Sequence, residues 1–258
     1  MLFRSEGGAG VLRRLQAEPD ALALAARTAY CGYVSSPGCE PESNSETTPS
    51  LAAPHDPVRP LSPGPDSRAV VLATVGGGED GFHLLRAFLE GAAEAPWQSV
   101  AVTGPMICNG ELKLLTQLAK KAGARLHRFV PRLEEWFASA SAVVCMGGYN
   151  TVTQGLQSGA SLVCVPRTHP RREQCIRAEE FSRLGLLRMV LPDQLHASGL
   201  RDAVVRALQI SRPDLHQQIR RYLRFDGAEV AAQHLLALAR ARRGMRRPVN
   251  RTPQLALA

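Results

Sequence analysis

Three segments of this chain carry residue types at a spacing that could hold a phosphate-bearing ligand. The first, Val75-Gly76-Gly77-Gly78-Glu79-Asp80-Gly81, follows a β-branched run and opens a helical one. Its bare backbone can approach a phosphate or pyrophosphate and donate N–H groups to it. A tight strand-to-helix turn would use the same glycines without a ligand. Gly76, Gly78 and Gly81 also spell G-x-G-x-x-G, the spacing of a dinucleotide site. The next apolar run, however, ends Val102-Thr103-Gly104-Pro105, without the acidic ribose clamp that such a site carries.

The second segment, Cys145-Met146-Gly147-Gly148-Tyr149-Asn150-Thr151, lies directly after a strand-like run and directly before a helix that stops at Gly159. A helix N-terminus behind two glycines is a partially positive anion site, with Asn150 or Thr151 as cap or phosphate donor; the alternative is a purely structural turn. The third, Pro166-Arg167-Thr168-His169-Pro170-Arg171-Arg172-Glu173-Gln174, puts three arginines, a histidine and a carboxylate-amide pair just past another strand end. Such a cluster can neutralise a diphosphate while Glu173 and Gln174 bond sugar hydroxyls, or it can be a solvated helix start with acid-base pairs. His169 is not required as an acid or base.

These segments need a scaffold that brings strand ends together, and the pattern from residue 68 onward supplies one. Short β-branched or apolar runs at 69–75, 99–104, 124–129, 142–146, 161–166 and 187–191 alternate with helical stretches at 82–92, 110–122 (Asn109 as N-cap), 132–140, 151–158 and 172–184. That alternation predicts an α/β fold with a Rossmann-like parallel sheet, in which ligands bind at the carboxyl ends of the strands. Extra C-terminal helices are expected at 198–209, 213–223 and 227–243. Residues 35–67 hold eight of the 18 prolines and no sustained apolar periodicity, which predicts a disordered Pro/Ser-rich linker. The expected domains are therefore 1–34, too small to close a core alone; the linker 35–67; the α/β domain with its extra helices at 68–243; and a basic flexible tail at 244–258.

The run Gly76-Gly77-Gly78-Glu79-Asp80-Gly81, the Gly147-Gly148-Tyr149-Asn150-Thr151 loop, Pro166-Arg167 and Glu173-Gln174-x-x-Arg177-Ala178 together resemble the C-terminal, donor-binding half of GT-B glycosyltransferases. They are similar in particular to the branch containing the UDP-N-acetylglucosamine transferase of peptidoglycan synthesis, and to predicted bacterial glycosyltransferases with the same Gly-Gly-Tyr-Asn-Thr loop. The likeness covers about residues 67–195. Ala29-Tyr30-Cys31-Gly32-Tyr33-Val34 looks like the strand that closes the N-terminal half of such enzymes. The resemblance implies that Gly76, Gly77 and Gly78 line the cleft and that Gly147, Gly148, Tyr149, Asn150, Thr151 and Arg167 hold the diphosphate. It also implies that Phe129, Val130 and Gln154 meet the nucleoside and that Glu173 and Gln174 face the donor sugar. Gln154 stands where the peptidoglycan enzyme has a ribose-gripping glutamate, so the grip is weaker here.

The activity implied by this resemblance is transfer of a hexose or N-acetylhexosamine from a nucleoside-diphosphate sugar, a UDP-sugar, to an acceptor, with neither cofactor nor metal, since the chain has no Asp-x-Asp motif. The catalytic base is expected on an N-terminal half that this chain scarcely contains. Either the sequence is a piece of a longer enzyme, or it works with a separate acceptor-binding subunit, as in the split transferase of eukaryotic N-glycan assembly. The rival readings are a non-catalytic nucleotide-sugar-binding subunit, a sugar-nucleotide epimerase and an NAD-dependent oxidoreductase.

Composition narrows the setting. At 45% hydrophobic and 21% charged over 258 residues, the chain is globular rather than fibrous. It has no apolar run of membrane-spanning length and no signal-peptide-like start, so the expected compartment is the cytoplasm. Six cysteines without metal-like spacing read as buried reduced thiols. The net charge of +8 is concentrated at the end, where Arg240, Arg242, Arg243, Arg246, Arg247 and Arg251 occur without an acid. Such a tail can touch RNA or an anionic membrane face, or simply be solvated. Without interleaved aromatics it predicts no specific nucleic-acid partner; a solvated, frayed terminus is the leading reading, and peripheral contact with the inner membrane face is the alternative.

Overall fold

The computed structural model describes residues 28–35, 68–170 and 172–244. Residues 1–27, residues 36–67 of the linker expected at 35–67, Arg171 and the tail beyond 244 lie outside the described residues. The chain divides into two compact units, Ser35–Leu223 and a second made of Met1–Val34 with Arg224–Ala258.

In the larger unit, six strands alternate with helices in chain order: β1 (Val70–Thr74), α1 (Phe82–Ala92), β2 (Gln98–Val102), α2 (Asn109–Ala122), β3 (Arg125–His127) and α3 (Leu133–Ser139) in the first half. The second half continues β4 (Ala142–Cys145), α4 (Tyr149–Gln157), β5 (Ser161–Cys164), α5 (Glu173–Arg183), β6 (Leu187–Met189), α6 (Ala197–Leu208) and α7 (Arg212–Tyr222). All strands pair in parallel, in the order β3-β2-β1-β4-β5-β6. This is the order of a doubly wound dinucleotide-type sheet, whose direction of winding reverses between β1 and β4. The central strands are covered on both faces, so every residue of Val70–Thr74, Ala142–Cys145 and Ser161–Cys164 is buried. Strands in that position read as unbroken apolar runs instead of alternating ones.

Side chains alternate across this sheet. Val71, Ala73, Ala101, Val144 and Val163 join one core with Leu85, Phe88 and Leu89 of α1, Leu115 of α2, and Leu200 and Val204 of α6. On the opposite face α4 sits so close to β5 that a Cβ on Gly155 would lie 2.8 Å from Leu162 Cδ2. The helix bounds differ from expectation chiefly at two N-termini. α2 is capped by Cys108, whose Sγ accepts from Glu111 N at 3.5 Å, and not by Asn109. Cys108 is accordingly exposed, against the expectation that the thiols are buried; Cys145, Cys164 and Cys175 are buried as expected.

The smaller unit joins residues 28–34 to the final helix, α8 (Gly227–Gly244). The strand read at 29–34 is here irregular backbone with one antiparallel bridge, Val34 to Asp226. Tyr33 N donates to Arg224 O at 2.8 Å and Gly227 N to Tyr33 O at 3.0 Å. The larger unit thus stops at Leu223, whereas the sequence pattern ran the domain on to residue 243. Among the described residues, no helix is long and apolar enough to cross a membrane.

Candidate functional site

The winding reversal between β1 and β4 leaves a crevice outside their carboxyl ends, which is where such sheets take ligands. A cavity of about 240 Å³ occupies it, walled by Thr74 through Asp80 after β1, by Met146, Gly148 and Thr151 after β4, and by Arg167 and Gln174 after β5. All three segments singled out in the sequence therefore meet at one place.

The glycine loop after β1 is shaped by its neighbour as much as by any ligand. Gly78 has φ +102, and a Cβ there would lie 2.4 Å from Thr103 O; a Cβ on Gly104 would lie 2.3 Å from Gly76 O. The loops after β1 and β2 thus pack backbone against backbone, clasped by Met106 N donating to Gly77 O at 2.9 Å. The tight-turn account thus holds for these residues, and Gly76 and Gly77 remain exposed on the cavity wall.

The loop after β4 feeds α4 two residues earlier than expected. Gly148 (φ −57°, ψ 142°) is the N-cap, with no side-chain hydrogen bond at the cap. The ladder of α4 begins with Val152 N donating to Gly148 O at 3.0 Å. Asn150 and Thr151 are therefore first-turn residues and not caps: Asn150 is exposed, while Thr151 lines the cavity. The uncapped helix start carries about half a positive charge from its aligned peptide dipoles. Gly147 sits beneath, at φ +82, and its carbonyl accepts from Arg177 Nη1 at 2.7 Å. The Arg177 guanidinium also lies 5.6 Å from the centre of the Tyr149 ring. No role falls to Arg177 from the sequence; the signal for it is its place one helical turn after Glu173, on α5.

Below the loop, Cys145 and Cys164 face each other in register on β4 and β5. Their neighbouring thiols share a hydrogen bond, which together with burial pushes Cys164 well above the ordinary thiol range. Burial and a bond to Glu179 also raise Cys175. The bond between Cys145 and Cys164 shifts Cys145 the other way, downward, and the charged side chains of the site, Glu79, Asp80 and Arg167, lie in its rim.

On that rim Arg167 reaches 87 residues back along the chain: its Nη1 lies 2.5 Å from Asp80 Oδ2. Its backbone N–H donates to Gln174 Oε1 at 3.2 Å, which ties the loop after β5 to the first turn of α5. Gln174, expected to face a sugar, therefore has its oxygen engaged by the protein and offers a ligand its amide NH₂. Asp80 takes no role from the sequence, because nothing local marks a residue whose partner is so distant.

Several expected residues lie outside this cavity. Tyr149 and Gly147 support it from beneath, and Glu173 is exposed at the start of α5. Gln154 is half-buried within α4, Val130 is buried, and Phe129 is 65% exposed beyond β3, two strands from β1. The structure separates Asn150 and Thr151 by position, since only Thr151 lines the cavity. Thr151→Ala is expected to weaken inorganic pyrophosphate binding by at least about tenfold, the scale of one hydrogen bond to a charged group. Asn150→Ala should change it less than about twofold, as an exposed residue outside the cavity. Calorimetric titration of both variants checks this, and equal losses would return Asn150 to the site.

A family model, glycosyltransferase family 28 C-terminal domain, matches residues 72–225. The UDP-N-acetylglucosamine--N-acetylmuramyl-(pentapeptide) pyrophosphoryl-undecaprenol N-acetylglucosamine transferase of Vibrio parahaemolyticus is 24% identical over 132 residues, 51% of this chain and 37% of that protein. Among solved structures, the calicheamicin glycosyltransferase CalG4 aligns with a TM-score of 0.56 at 24% identity, over 70% of this chain and 46% of CalG4. Acinetobacter baumannii MurG aligns with a TM-score of 0.54 at 15% identity, over 67% of this chain and 50% of MurG. Both share the α/β fold described above, and the chain spans half or less of each of these proteins.

Proposed function

Because the chain belongs to the family of glycosyltransferase family 28 C-terminal domains, we propose that it is the donor-binding half of a metal-independent glycosyltransferase acting on a nucleoside-diphosphate sugar of the UDP type. The observation that carries this reading is the convergence of the β1 loop, the uncapped start of α4 and Arg167 on one 240 Å³ cavity at the winding reversal of the sheet. Bare backbone, a helix N-terminus and a guanidinium are groups that can hold a diphosphate without a metal ion.

The same groups supply the chemistry. As the bond from the anomeric carbon to the β-phosphate oxygen breaks, negative charge grows on the departing diphosphate. The start of α4 and Arg167 are already oriented towards that charge, so little reorganisation is needed when it develops. The Gln174 NH₂ and Glu173 meet the sugar hydroxyls, and Phe129, Val130 and Gln154 the nucleoside; the exposed Phe129 ring on the same carboxyl edge of the sheet supports the latter placement. The transferred group is a hexose or N-acetylhexosamine, in keeping with the donor in the name of the Vibrio relative. The acceptor and the base that deprotonates its hydroxyl belong to a second half, since the chain spans 37% of that relative.

Calorimetric titration of the chain with UDP, UDP-N-acetylglucosamine, TDP and NAD, with and without EDTA, tests the reading. Binding of one nucleoside diphosphate at micromolar concentration and indifferent to EDTA is the expected result. Binding of NAD alone would replace it with a dinucleotide site at the glycine loop, and loss of binding in EDTA would remove the metal-independent step.

A further inference from the structure

A second cavity opens beside the first at the carboxyl edge of the sheet. It measures about 450 Å³ against about 240 Å³, and Asp80, Met146 and Arg167 line both, so the two share a wall. At that size it falls within the range of small-molecule sites, about 300–1,000 Å³.

Its chemistry is the reverse of its neighbour's. The smaller cavity is walled by glycine backbone, a helix start and charged side chains. In the larger one Leu84 in the first turn of α1, Met146 after β4, Val165 and Pro166 after β5, and Leu195 after the turn Pro192–Gln194 form an apolar wall. Leu84 and Val165 are buried members of the core that α1, α2 and α6 build on the sheet, and Met146 and Leu195 pack against that core. The cavity is therefore a place where the main core stands open at its edge. Polar side chains gather away from this wall: His83 and His169 are exposed, the Thr168 hydroxyl lies 3.2 Å from His169 Nδ1, and Asp80 and Arg167 are paired with each other. Sugar hydroxyls or a phosphate would find no partners along Leu84, Val165, Pro166 and Leu195, whereas a hydrocarbon group covers those side chains and takes them out of water.

Resting on the donor-site reading above, we propose that the larger cavity seats a hydrocarbon group of the acceptor, with the acceptor's reacting hydroxyl turned to the shared wall. That wall is what gives the cavity its role. A hydroxyl at Met146 and Arg167 stands next to the cavity that takes the donor. There its oxygen bonds to the anomeric carbon as the bond from that carbon to the β-phosphate oxygen breaks; the electron pair leaves with the diphosphate, and the hydroxyl proton passes to the base of the second half. The second half holds the rest of the acceptor, and this half selects for an apolar group beside the hydroxyl.

The test uses n-octanol, a hydrocarbon chain with one hydroxyl and neither sugar nor charge, in ligand-observed NMR of the full chain with UDP-N-acetylglucosamine. Saturation is expected to pass from the protein to octanol with and without the donor. An Overhauser effect is expected between the hydroxyl-bearing methylene of octanol and the anomeric proton of the donor. Leu195→Glu sets a carboxylate on the half-buried wall and Leu195→Trp fills the space without a charge; each should cut the octanol signal at least about threefold. Leu114→Glu, at an exposed leucine of α2 outside both cavities, should leave the signal unchanged. Retained donor signal shows that each variant is folded. No loss in the Leu195 variants, or an equal loss in Leu114→Glu, would mean that octanol adheres to apolar surface in general, and would overturn the proposal. Displacement of octanol by the donor would overturn it by placing both ligands in one cavity. Octanol bound beside the donor without the Overhauser effect would remove the acceptor role and leave the donor site intact. A wild type that does not bind the donor removes the donor reading and the acceptor role with it.

Discussion

Arg167→Ala is expected to lower UDP affinity by one to two orders of magnitude, about 1.4–2.7 kcal/mol, while leaving the unfolding free energy within about 1 kcal/mol of wild type. The two numbers separate because of what Arg167 touches. Its side chain meets the protein in a half-exposed ion pair with Asp80 and its Nε has no partner among the described residues, so the folded chain loses little when the side chain goes. The link from the β5 loop to α5 runs through the backbone N–H of residue 167 to Gln174 Oε1, and alanine keeps that N–H. What disappears is the cationic fork on the rim, the side chain in the cavity wall able to take a diphosphate bidentately. Arg167→Lys should recover part of the affinity, since an ammonium restores the charge without the planar fork. Titration with UDP beside a denaturant melt gives both numbers for each variant. A large stability loss with unchanged affinity would make Arg167 a strap between the β1 and β5 loops and nothing more.

Arg167 and its distant partner Asp80 show where a sequence reading reaches and where it stops. The sheet was legible because strands buried on both faces carry unbroken apolar runs: Val70–Thr74 and Ala142–Cys145 announce themselves without knowledge of what covers them. The three segments that meet at the cavity were legible for a related reason, since in a parallel sheet each of them must fall at a carboxyl strand end. Propensity misled at the helix starts. Asn and Thr are stronger caps than Gly, yet the turn after β4 places Gly148 at the cap and pushes Asn150 onto the outer surface. Distant pairing was invisible. Nothing near Asp80 reveals that Arg167 lies against it, and nothing in the glycine run reveals that Gly78 must be bare because Thr103 O fills the space of its Cβ. The residues assigned by resemblance alone, Phe129, Val130 and Gln154, all lie outside the 240 Å³ cavity, as do Gly147, Tyr149, Asn150 and Glu173.

Gly147→Ala tests the remaining half of the site, the start of α4, through its foundations. Gly147 has φ +82, where a side chain is strained, and its Cβ would lie 2.9 Å from Cys164 Sγ. Cys164 cannot yield easily, because it is fully buried and paired in register with Cys145 on β4. The substitution should therefore destabilise the fold by about 2–4 kcal/mol, combining a left-handed backbone penalty with overpacking. The loop itself must move if the strand does not. That shifts the Gly147 carbonyl from Arg177 and tilts the first turn of α4, so UDP affinity in the folded fraction should fall more than about tenfold, as positioning errors near 1 Å at a preorganised anion site do. A second substitution divides the two causes. Cys164→Ala in the Gly147→Ala background removes the blocking sulfur and should restore the steric share of both losses, while the share due to positive φ persists. Full rescue would mean the backbone there tolerates a side chain and packing alone requires the glycine. Wild-type UDP affinity in folded Gly147→Ala would mean that the phosphate does not use the start of α4, and binding would then have to rest on the β1 loop and Arg167.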